Sequence, residues 1–446
     1  MQNFLNWSVS FSLSCHKGMI APMKFGIVCP PVPGHLYGMM TIGRELERRG
    51  HSVYLLGIGD VEPYARKGGV GFVEIGKEEF PPGALDQYLD LIRNVTISTI
   101  RKGVAWAEVM CQALCRDGAT AARELGLDGL LVDQSQTEGK TISDLTGIPF
   151  LSICNALNLE GDASGEAPPP FVSWYPAQGK ALFRLRNRLG NWAFSAVLNP
   201  IIATTNKLRK AHSLPLLQNW ENCISPLGVI SNFPSKLDFS RGLNQRPIFY
   251  TGPYLDERPN DVAFDWSLLD GRPLVYASMG TLHTAKKEIL SAIVAACSTL
   301  PVQLVLSLGQ WTLEQADQSF PAGTIAVPYA PQLALLRRAS LAITHGGANT
   351  VLEALSFGCP LITIPLASDQ PAVSARVTWA GAGTTIAQKQ VDAVRLRQLI
   401  VQVLENPDFK NCAGVMKTEI ENSGGVKAAV NVIESVFSSA TISAAR

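Results

Sequence analysis

The stretch LAITHGGANTVLEALSFGCPLITIPL, residues 341–366, contains the pattern that decides the fold. Residues 341–344 form a short apolar run of strand type, and a Gly-Gly turn separates it from the helical period that begins near residue 351. A second apolar run follows at residues 360–365. A strand, a helix and a strand in this order pair in parallel, because a right-handed crossover places the helix on one face of the sheet. The stretch therefore predicts an α/β domain.

The same alternation recurs on both sides of this stretch. The apolar runs that predict strands occupy residues 24–29, 52–57, 72–75, 129–133 and 149–154 in the first half, and 273–278, 302–307, 324–327, 341–344 and 360–365 in the second. Residues 155–245 lose this rhythm and are rich in proline and aromatic side chains. The sequence therefore predicts an α/β fold with two Rossmann-like parallel-sheet domains that face each other across a cleft.

The domain boundaries follow from the turn-rich stretch at residues 251–260. We expect an N-terminal domain over residues 23–250 and a C-terminal domain over residues 262–446, with the last helix packing back on the N-terminal domain. Residues 1–22 lack the charged start of a secretory signal, and polar residues interrupt their apolar ones. We expect them to form a disordered extension.

The composition excludes several classes of protein. Of the 446 residues 46% are hydrophobic and 17% charged, which is enough apolar material for a large core. The net charge of +1 argues against a nucleic-acid partner, which requires a basic surface. No run of 18 apolar residues occurs, so no transmembrane segment is expected. The nine cysteines are scattered without a CxxC pair or a Cys/His cluster, which favours reduced thiols, no metal site and a cytoplasmic protein.

Chemistry is expected where strands of a parallel sheet end, because ligands bind outside their carboxyl ends. After residues 341–344, the glycines of His345-Gly346-Gly347 let a backbone approach a ligand, and the amides at a helix start attract a phosphate. Asn349 adds a donor, and Glu353 can accept hydrogen bonds from the two hydroxyls of a ribose. The alternative is structural, because Thr350-x-x-Glu353 is a capping box and Asn349 a capping residue.

Side chains on either side of this turn favour the ligand-binding interpretation. Tyr329 precedes it and offers an aromatic plane for a base, with Gln332 nearby. Asp369 and Gln370 follow the next predicted strand and offer a carboxylate and an amide for sugar hydroxyls. A base platform, a phosphate site, a diol acceptor and a sugar contact together predict a nucleotide-sugar site.

The block from Tyr329 to Gln370 resembles the donor signature of the family 1 UDP-glycosyltransferases, which have the two-domain GT-B fold. The resemblance covers about residues 24–438 and implies a UDP-sugar co-substrate with no cofactor. It places Tyr329 at the uracil with Gln332 beside it, His345, Gly347, Asn349 and Thr350 at the diphosphate, Glu353 at the ribose, Asp369 and Gln370 at the hexose, and Ser278, Gly280 and Thr281 in a second phosphate loop.

Two departures from the plant pattern bear on the donor sugar. Plant members usually have tryptophan at the positions of Tyr329 and Ala348, whereas the His-Gly-Gly form resembles bacterial members. The Asp369-Gln370 pair is similar to members that use glucose. We therefore expect UDP-glucose as the donor.

The catalytic base is expected after the first strand. Prolines at positions 30, 31 and 33 and Gly34 form a turn that presents His35 at the cleft. Histidine changes its charge near neutral pH and is suited to remove a proton from an acceptor hydroxyl. Asp133 ends a neighbouring predicted strand and can orient the imidazole. The resemblance implies this base and partner, whereas the structural alternatives are a histidine that caps the helix and an aspartate that caps the next turn.

The sequence also bears on other functions and on the mechanism. A dehydrogenase is disfavoured because GxGxxG is absent and the prolines at positions 30, 31 and 33 cannot donate amides to a pyrophosphate. A nucleotide-sugar epimerase, a lipid-linked cell-wall glycosyltransferase and a non-catalytic nucleotide-sugar-binding protein stay open. No Asp-x-Asp pair lies at the diphosphate position, so we expect metal independence. A base opposite the leaving UDP predicts inversion at the anomeric carbon.

The acceptor is expected to be an apolar molecule with a hydroxyl, because the middle of the chain is rich in aromatic side chains. The Pro168-Pro169-Pro170-Phe171 stretch, with the arginines that follow, resembles carotenoid glucosyltransferases. Arg184, Arg186 and Arg188 alternate with apolar residues. Two interpretations stay open for this segment: peripheral contact with a membrane, or a solvated arginine face over a core helix.

Overall fold

The computed structural model describes residues 21–93, 97–241, 246–255, 262–280, 287–309, 320–321 and 323–444. The expected extension at residues 1–22 lies, apart from its last two residues, outside the described part of the chain. No helix among the described residues is long and apolar enough to cross a membrane.

The N-terminal sheet is fully parallel and has the order β3-β2-β1-β4-β5-β6-β7. Its strands are β1 Lys24–Val28, β2 Ser52–Gly57, β3 Gly71–Glu74, β4 Gly129–Asp133, β5 Phe150–Cys154, β6 Val229–Ser231 and β7 Ile248–Tyr250. The first five correspond to the predicted runs, whereas β6 and β7 were not predicted because three residues are too few to show a pattern. The strand order reverses between β1 and β4, which opens a crevice at their carboxyl ends.

The helices of this domain lie between the strands. They are α1 Pro33–Arg48, α2 Glu62–Gly68, α3 Ala84–Arg93, α4 Ile97–Ala113, α5 Ala119–Leu125, α6 Glu138–Thr146 and the long α7 Ala181–Ala211. β4 and β5 are buried along their whole length, as expected of central strands covered by helices on both faces. The helices thus leave mainly the strand ends open to a ligand.

The C-terminal sheet repeats this topology with the order β10-β9-β8-β11-β12-β13, again all parallel. Its strands are β8 Leu274–Ser278, β9 Gln303–Ser307, β10 Thr324–Val327, β11 Leu341–Thr344, β12 Leu361–Thr363 and β13 Gly383–Thr385. The helices described here are α8 Lys287–Ser298, α9 Gln332–Leu336, α10 Ala348–Ser356, α11 Gln370–Trp379, α12 Ala393–Glu405, α13 Pro407–Ser423 and α14 Gly425–Ala444. The predicted fold class of two parallel-sheet domains is confirmed.

The last helix, α14, packs on the N-terminal domain. The Phe437 ring meets the Phe25 ring edge-on with centroids 5.2 Å apart, and a Cβ on Gly129 would lie 2.2 Å from the Phe437 ring. Glu434 accepts a hydrogen bond from Arg49 at 2.7 Å and lies 3.1 Å from the His51 ring. The last helix, which follows the C-terminal sheet along the chain, therefore packs on the domain that contains β1.

A buried ion cluster joins the domains beside the cleft. The carboxylate of Asp238, in the N-terminal domain, accepts hydrogen bonds from Arg241 at 2.8 Å and from Arg376 of α11 at 3.1 Å. All three side chains are almost fully buried. Burial alone would raise the pKa of Asp238, but the two guanidinium groups lower it to about 2. The carboxylate is therefore charged at neutral pH and neutralises arginines from both domains.

Replacing Asp238 with asparagine is expected to lower the free energy of unfolding by about 3–5 kcal/mol, because two buried arginines lose their counter-charge. The pKa of Asp238 is depressed, so its contribution is present above pH ~4 and is lost as the pH falls through about 2. Urea unfolding at pH 7 measures the effect. Asp270→Asn is the matched control, because Asp270 pairs with Arg272 in an exposed ion pair. Equal stability of the two variants would contradict the prediction.

Candidate active site

His35 and Asp133 meet at the crevice between β1 and β4. His35 lies in the first turn of α1, directly after β1, and Asp133 is the last residue of β4. The His35 Nδ1 and the Asp133 Oδ2 are 2.8 Å apart. Helix α1 has Val32 at its N-cap with no side-chain cap bond, so His35 does not act as a cap. The structure brings together the two residues predicted as base and partner.

Asp133 is fully buried and held from three directions. Its Oδ1 accepts hydrogen bonds from the backbone amide of Ser135 at 3.0 Å and from the Ser135 hydroxyl at 2.7 Å. Its Oδ2 accepts the Asn155 amide at 3.2 Å in addition to the contact with His35. The turn-capping alternative therefore also holds, because one carboxylate oxygen caps the turn while the other orients the histidine.

Ser135 and Asn155 were not found from sequence. Ligands bind outside the carboxyl ends of parallel strands, and this strand-end rule selected His35 and Asp133 from sequence. Asn155 follows the last residue of β5, so the same rule also selects it. Two other aspartates near predicted strands lie in other contacts: Asp128 accepts the backbone amide of Lys24, and Asp144 pairs with Arg209. Neither forms part of this crevice arrangement.

The electrostatics of the pair are coupled. Burial alone would lower the pKa of His35, but the charge and hydrogen bond of Asp133, with a smaller effect of Asp369, raise it above 6.5. Burial would raise the pKa of Asp133, but His35 and Ser135 lower it below 3.8. Asp133 thus stays ionised and favours a proton on the Nδ1 of His35. The Nε2 is left to accept a proton from a bound hydroxyl.

The two predicted phosphate loops lie side by side in the C-terminal domain. Ser278 ends β8 in register with Thr344 of β11, so the residues after both strands start from neighbouring positions. Gly280 has φ +81°, and a Cβ there would lie 2.6 Å from the His345 ring. A Cβ on Gly347 would lie 2.4 Å from the same ring. The imidazole of His345 therefore fits between two glycines, whereas Thr281 lies outside the described residues.

The start of α10 is not closed by a capping box. Its N-cap is Gly347, with no side-chain cap bond, and the first helical residue is Ala348. The Asn349 side-chain amide donates instead to the backbone oxygen of Gly34 at 3.3 Å, across the cleft. The capping alternative is therefore wrong for Asn349 and Thr350. The first turn of α10 therefore lies beside the first turn of α1, which carries His35, and its free backbone amides would stabilise an anion there.

Glu353 is held in place by Gln332. The Gln332 amide nitrogen donates to the Glu353 carboxylate and, at 3.4 Å, to the Thr350 hydroxyl. The Gln332 amide oxygen accepts the Tyr276 hydroxyl at 2.9 Å. The sequence predicted Gln332 beside the uracil of the nucleotide. The structure adds that the Gln332 amide contacts Glu353 and Tyr276. In this arrangement Gln332 positions the buried Glu353 carboxylate.

The remaining predicted donor residues frame this region. Tyr329 lies just beyond β10 and exposes 55% of its surface, which leaves a ring face for stacking. Asp369 is the N-cap of α11 and lies close enough to influence the His35 charge. Burial raises the pKa of Asp369. The Gln370 amide oxygen accepts the backbone amides of Leu366 and Ala367 at 2.8 and 2.9 Å, so a sugar hydroxyl would be bound through the amide nitrogen.

A cavity of about 220 Å³ lies between the domains and reaches the predicted site. Gly34 and Asn155 line it from the N-terminal domain, and Asn349 and Glu353 line it from the C-terminal domain. The described residues hold no group of three or more metal-ligating side chains. The cavity thus extends from Asn155, which bonds Asp133, to two of the residues predicted for the nucleotide.

Known proteins are similar to this chain in sequence and in fold. Residues 269–421 match the family model described as UDP-glucuronosyl and UDP-glucosyl transferase. The chain is similar to a zeaxanthin glucosyltransferase of Pantoea ananas, with 29% identity over 93% of this chain and 96% of the relative. A second zeaxanthin glucosyltransferase, from Pseudescherichia vulneris, is 27% identical over 92% of this chain and 97% of the relative.

A solved structure shows the same fold over nearly the whole chain. The glycosyltransferase of kitacinnamycin superposes with a TM-score of 0.74 at 21% identity, over 93% of this chain and 99% of that structure. The zeaxanthin enzymes resemble the chain over almost their full length, which the fold alone would not show. Residues 269–421 match the UDP-glucuronosyl and UDP-glucosyl transferase family, and the chain has the GT-B fold of glycosyltransferases.

Proposed function

We propose that the protein transfers glucose from UDP-glucose to a hydroxyl of an apolar small-molecule acceptor, with inversion and without a metal ion. The observation that carries the proposal is the His35–Asp133 pair, which sits one residue from the Gly34–Asn349 contact across the cleft. This contact brings the candidate base next to the helix start that is predicted to bind the diphosphate. The names of the relatives supply glucose and a hydroxylated carotenoid as the first donor and acceptor to test.

The proposed reaction is a single displacement at the anomeric carbon. The acceptor oxygen forms the new bond to that carbon while the bond to the diphosphate oxygen breaks, and UDP leaves. The proton of the acceptor hydroxyl moves to the His35 Nε2, and Asp133 stabilises the imidazolium. The leaving diphosphate is stabilised by the α10 amides and His345. Attack from the side opposite the leaving group converts an α-linked donor into a β-linked product.

The apolar acceptor is supported by aromatic side chains in the N-terminal domain. The Tyr88 and Trp106 rings stack with centroids 4.1 Å apart, and the Phe80 ring lies 5.1 Å from that of Trp106. Burial, with the charges of Glu138 and Cys29, raises the pKa of Tyr88 to about 12. Phe80 belongs to the same hydrophobic core as Cys29, the residue that follows β1, and Trp106 packs against that core. Aromatic walls bind apolar molecules without requiring hydrogen bonds.

Release of UDP from UDP-glucose is the decisive assay. We expect release only when zeaxanthin or another hydroxylated apolar acceptor is added, and unchanged release in EDTA. NMR of the product should show a β-glucosidic bond. Release without an acceptor would favour hydrolysis, and binding of UDP-glucose without release in a broad acceptor screen would favour a non-catalytic binding protein. An α-linked product would contradict inversion, and loss of activity in EDTA would contradict metal independence.

A further inference from the structure

Helix α7 turns its amide side chains towards the protein and its leucines towards solvent. Asn187 is fully buried and donates to the backbone oxygen of Gly165 at 3.0 Å. Asn191, one turn further on, is also buried and donates to the backbone oxygen of Ala167 at 3.1 Å. On another face Leu182 and Trp192 expose 74% and 73% of their surface. A helix on a water-facing surface normally has the reverse pattern.

The exposed apolar side chains form one stripe. Leu182, Leu185, Leu189 and Trp192 follow the spacing i, i+3, i+7 and i+10, which keeps them on one side of a helix. All four are exposed. These four residues form the α7 stripe. A contiguous exposed apolar patch indicates a surface that is covered by a partner.

The charged residues of helix α7 itself are all basic. Residues 181–211 contain six arginines and lysines and no aspartate or glutamate, in a chain whose net charge is only +1. Arg184 pairs with Glu166 at 3.1 Å, but in the described part of the chain no carboxylate pairs with Lys180, Arg186 or Arg188. Arg188 lies one turn from both Leu185 and Trp192. Arg186 is engaged within the protein, because it donates to the backbone oxygen of Tyr175 and to Asn187 and lies over the Trp174 ring. Lys180 and Arg188 therefore border the stripe as cations without a carboxylate partner among the described residues.

We propose that the α7 stripe docks on the surface of an anionic lipid bilayer. The leucines and Trp192 would enter the boundary between headgroups and acyl chains, and Lys180 and Arg188 would face the lipid phosphates. A second copy of this chain fits less well, because a symmetric contact through the stripe would bring the two basic borders together. The proposal goes beyond the proposed reaction and does not rest on it.

The test measures binding of the full chain to vesicles, with no assay of glycosyl transfer. We expect the protein to sediment with vesicles of phosphatidylglycerol and phosphatidylcholine, and much less with phosphatidylcholine alone. Leu182→Ser/Leu185→Ser/Leu189→Ser/Trp192→Ser is expected to weaken binding at least about 10-fold, and Lys180→Gln/Arg188→Gln to weaken it only on the anionic vesicles. Val394→Ser/Val415→Ser is the matched control, because both valines are exposed in the C-terminal domain.

Circular dichroism and the melting temperature check that the stripe variant is folded. We expect it to fold, because all four substituted residues are exposed. The proposal is overturned if the folded stripe variant sediments with anionic vesicles as strongly as the unmodified protein. It is also overturned if the unmodified protein fails to bind those vesicles. A dimer that sedimentation equilibrium detects in the unmodified protein but not in the stripe variant, without vesicle binding, would assign the stripe to a second copy.

Discussion

Replacing His35 with alanine is expected to lower kcat for glycosyl transfer by about 100- to 10,000-fold, because the acceptor hydroxyl loses the group that takes its proton. The Kd for UDP should stay within about 3-fold, because the nucleotide is expected to bind the C-terminal domain. The imidazole contacts Asp133 at 2.8 Å, and no side-chain cap bond of α1 depends on it. Steady-state kinetics and calorimetric titration with UDP measure the two quantities separately.

His212→Ala is the matched control for this variant. His212 lies at the end of α7 and is exposed, so its loss should leave kcat and UDP binding unchanged. Near-normal turnover of His35→Ala with a hydroxylated acceptor would remove His35 from the mechanism. If His35→Ala lost UDP binding together with turnover, the substitution would act mainly on the contact between the domains, since Gly34 contacts Asn349 across the cleft.

The strand-end rule carried most of the prediction from sequence. It selected His35 after β1, Asp133 at the end of β4 and His345 after β11, because the carboxyl end of a parallel strand is fixed by the apolar run alone. The rule needs no knowledge of long-range contacts. Applied to β5, it would also have selected Asn155, whose amide donates to Asp133.

The sequence did not predict contacts between residues that lie far apart in the chain. Gln332 was predicted beside the uracil-stacking Tyr329, but its contacts with Glu353, 21 residues away, and with Tyr276, 56 residues away, were not predicted. The outward apolar face of α7 depends on Asn187 reaching a backbone oxygen 22 residues earlier in the chain. Arg184 and Arg188 are exposed, as the interpretation of a solvated arginine face expects, but exposed leucines lie beside them. Packing partners and not the helical pattern decide which face of the helix is buried.

The short strands β6, β7 and β13 were missed for a local reason. Each has only three residues. An alternation of apolar and polar residues must run over at least about four positions before it distinguishes a strand from a loop. β6 and β7 extend the sheet beyond β5 and carry the chain to Asp238 between them. The ion pair of Asp238 with Arg376 was consequently not anticipated either.

Replacing Asp133 with asparagine tests how the base is oriented, and is expected to lower kcat by about 100-fold or more. An asparagine can turn its amide NH₂ towards the His35 Nδ1, which then accepts a hydrogen bond and leaves the proton on Nε2. That tautomer cannot take a proton from the acceptor. The Ser135 amide and hydroxyl can still bond the side-chain oxygen at position 133, so the turn is expected to persist.

The pH dependence separates this effect from a change in basicity. In the unmodified protein Asp133 raises the pKa of His35 above 6.5, so kcat/KM should rise with pH through that higher value as the imidazole becomes neutral. Without the carboxylate, burial is left to lower the pKa, and the rising limb should move to lower pH. More of the histidine would then be neutral at pH 7, yet turnover would be slower. An unchanged pH profile at normal kcat would contradict the assignment, because neither the charge nor the orientation of Asp133 would then reach the base.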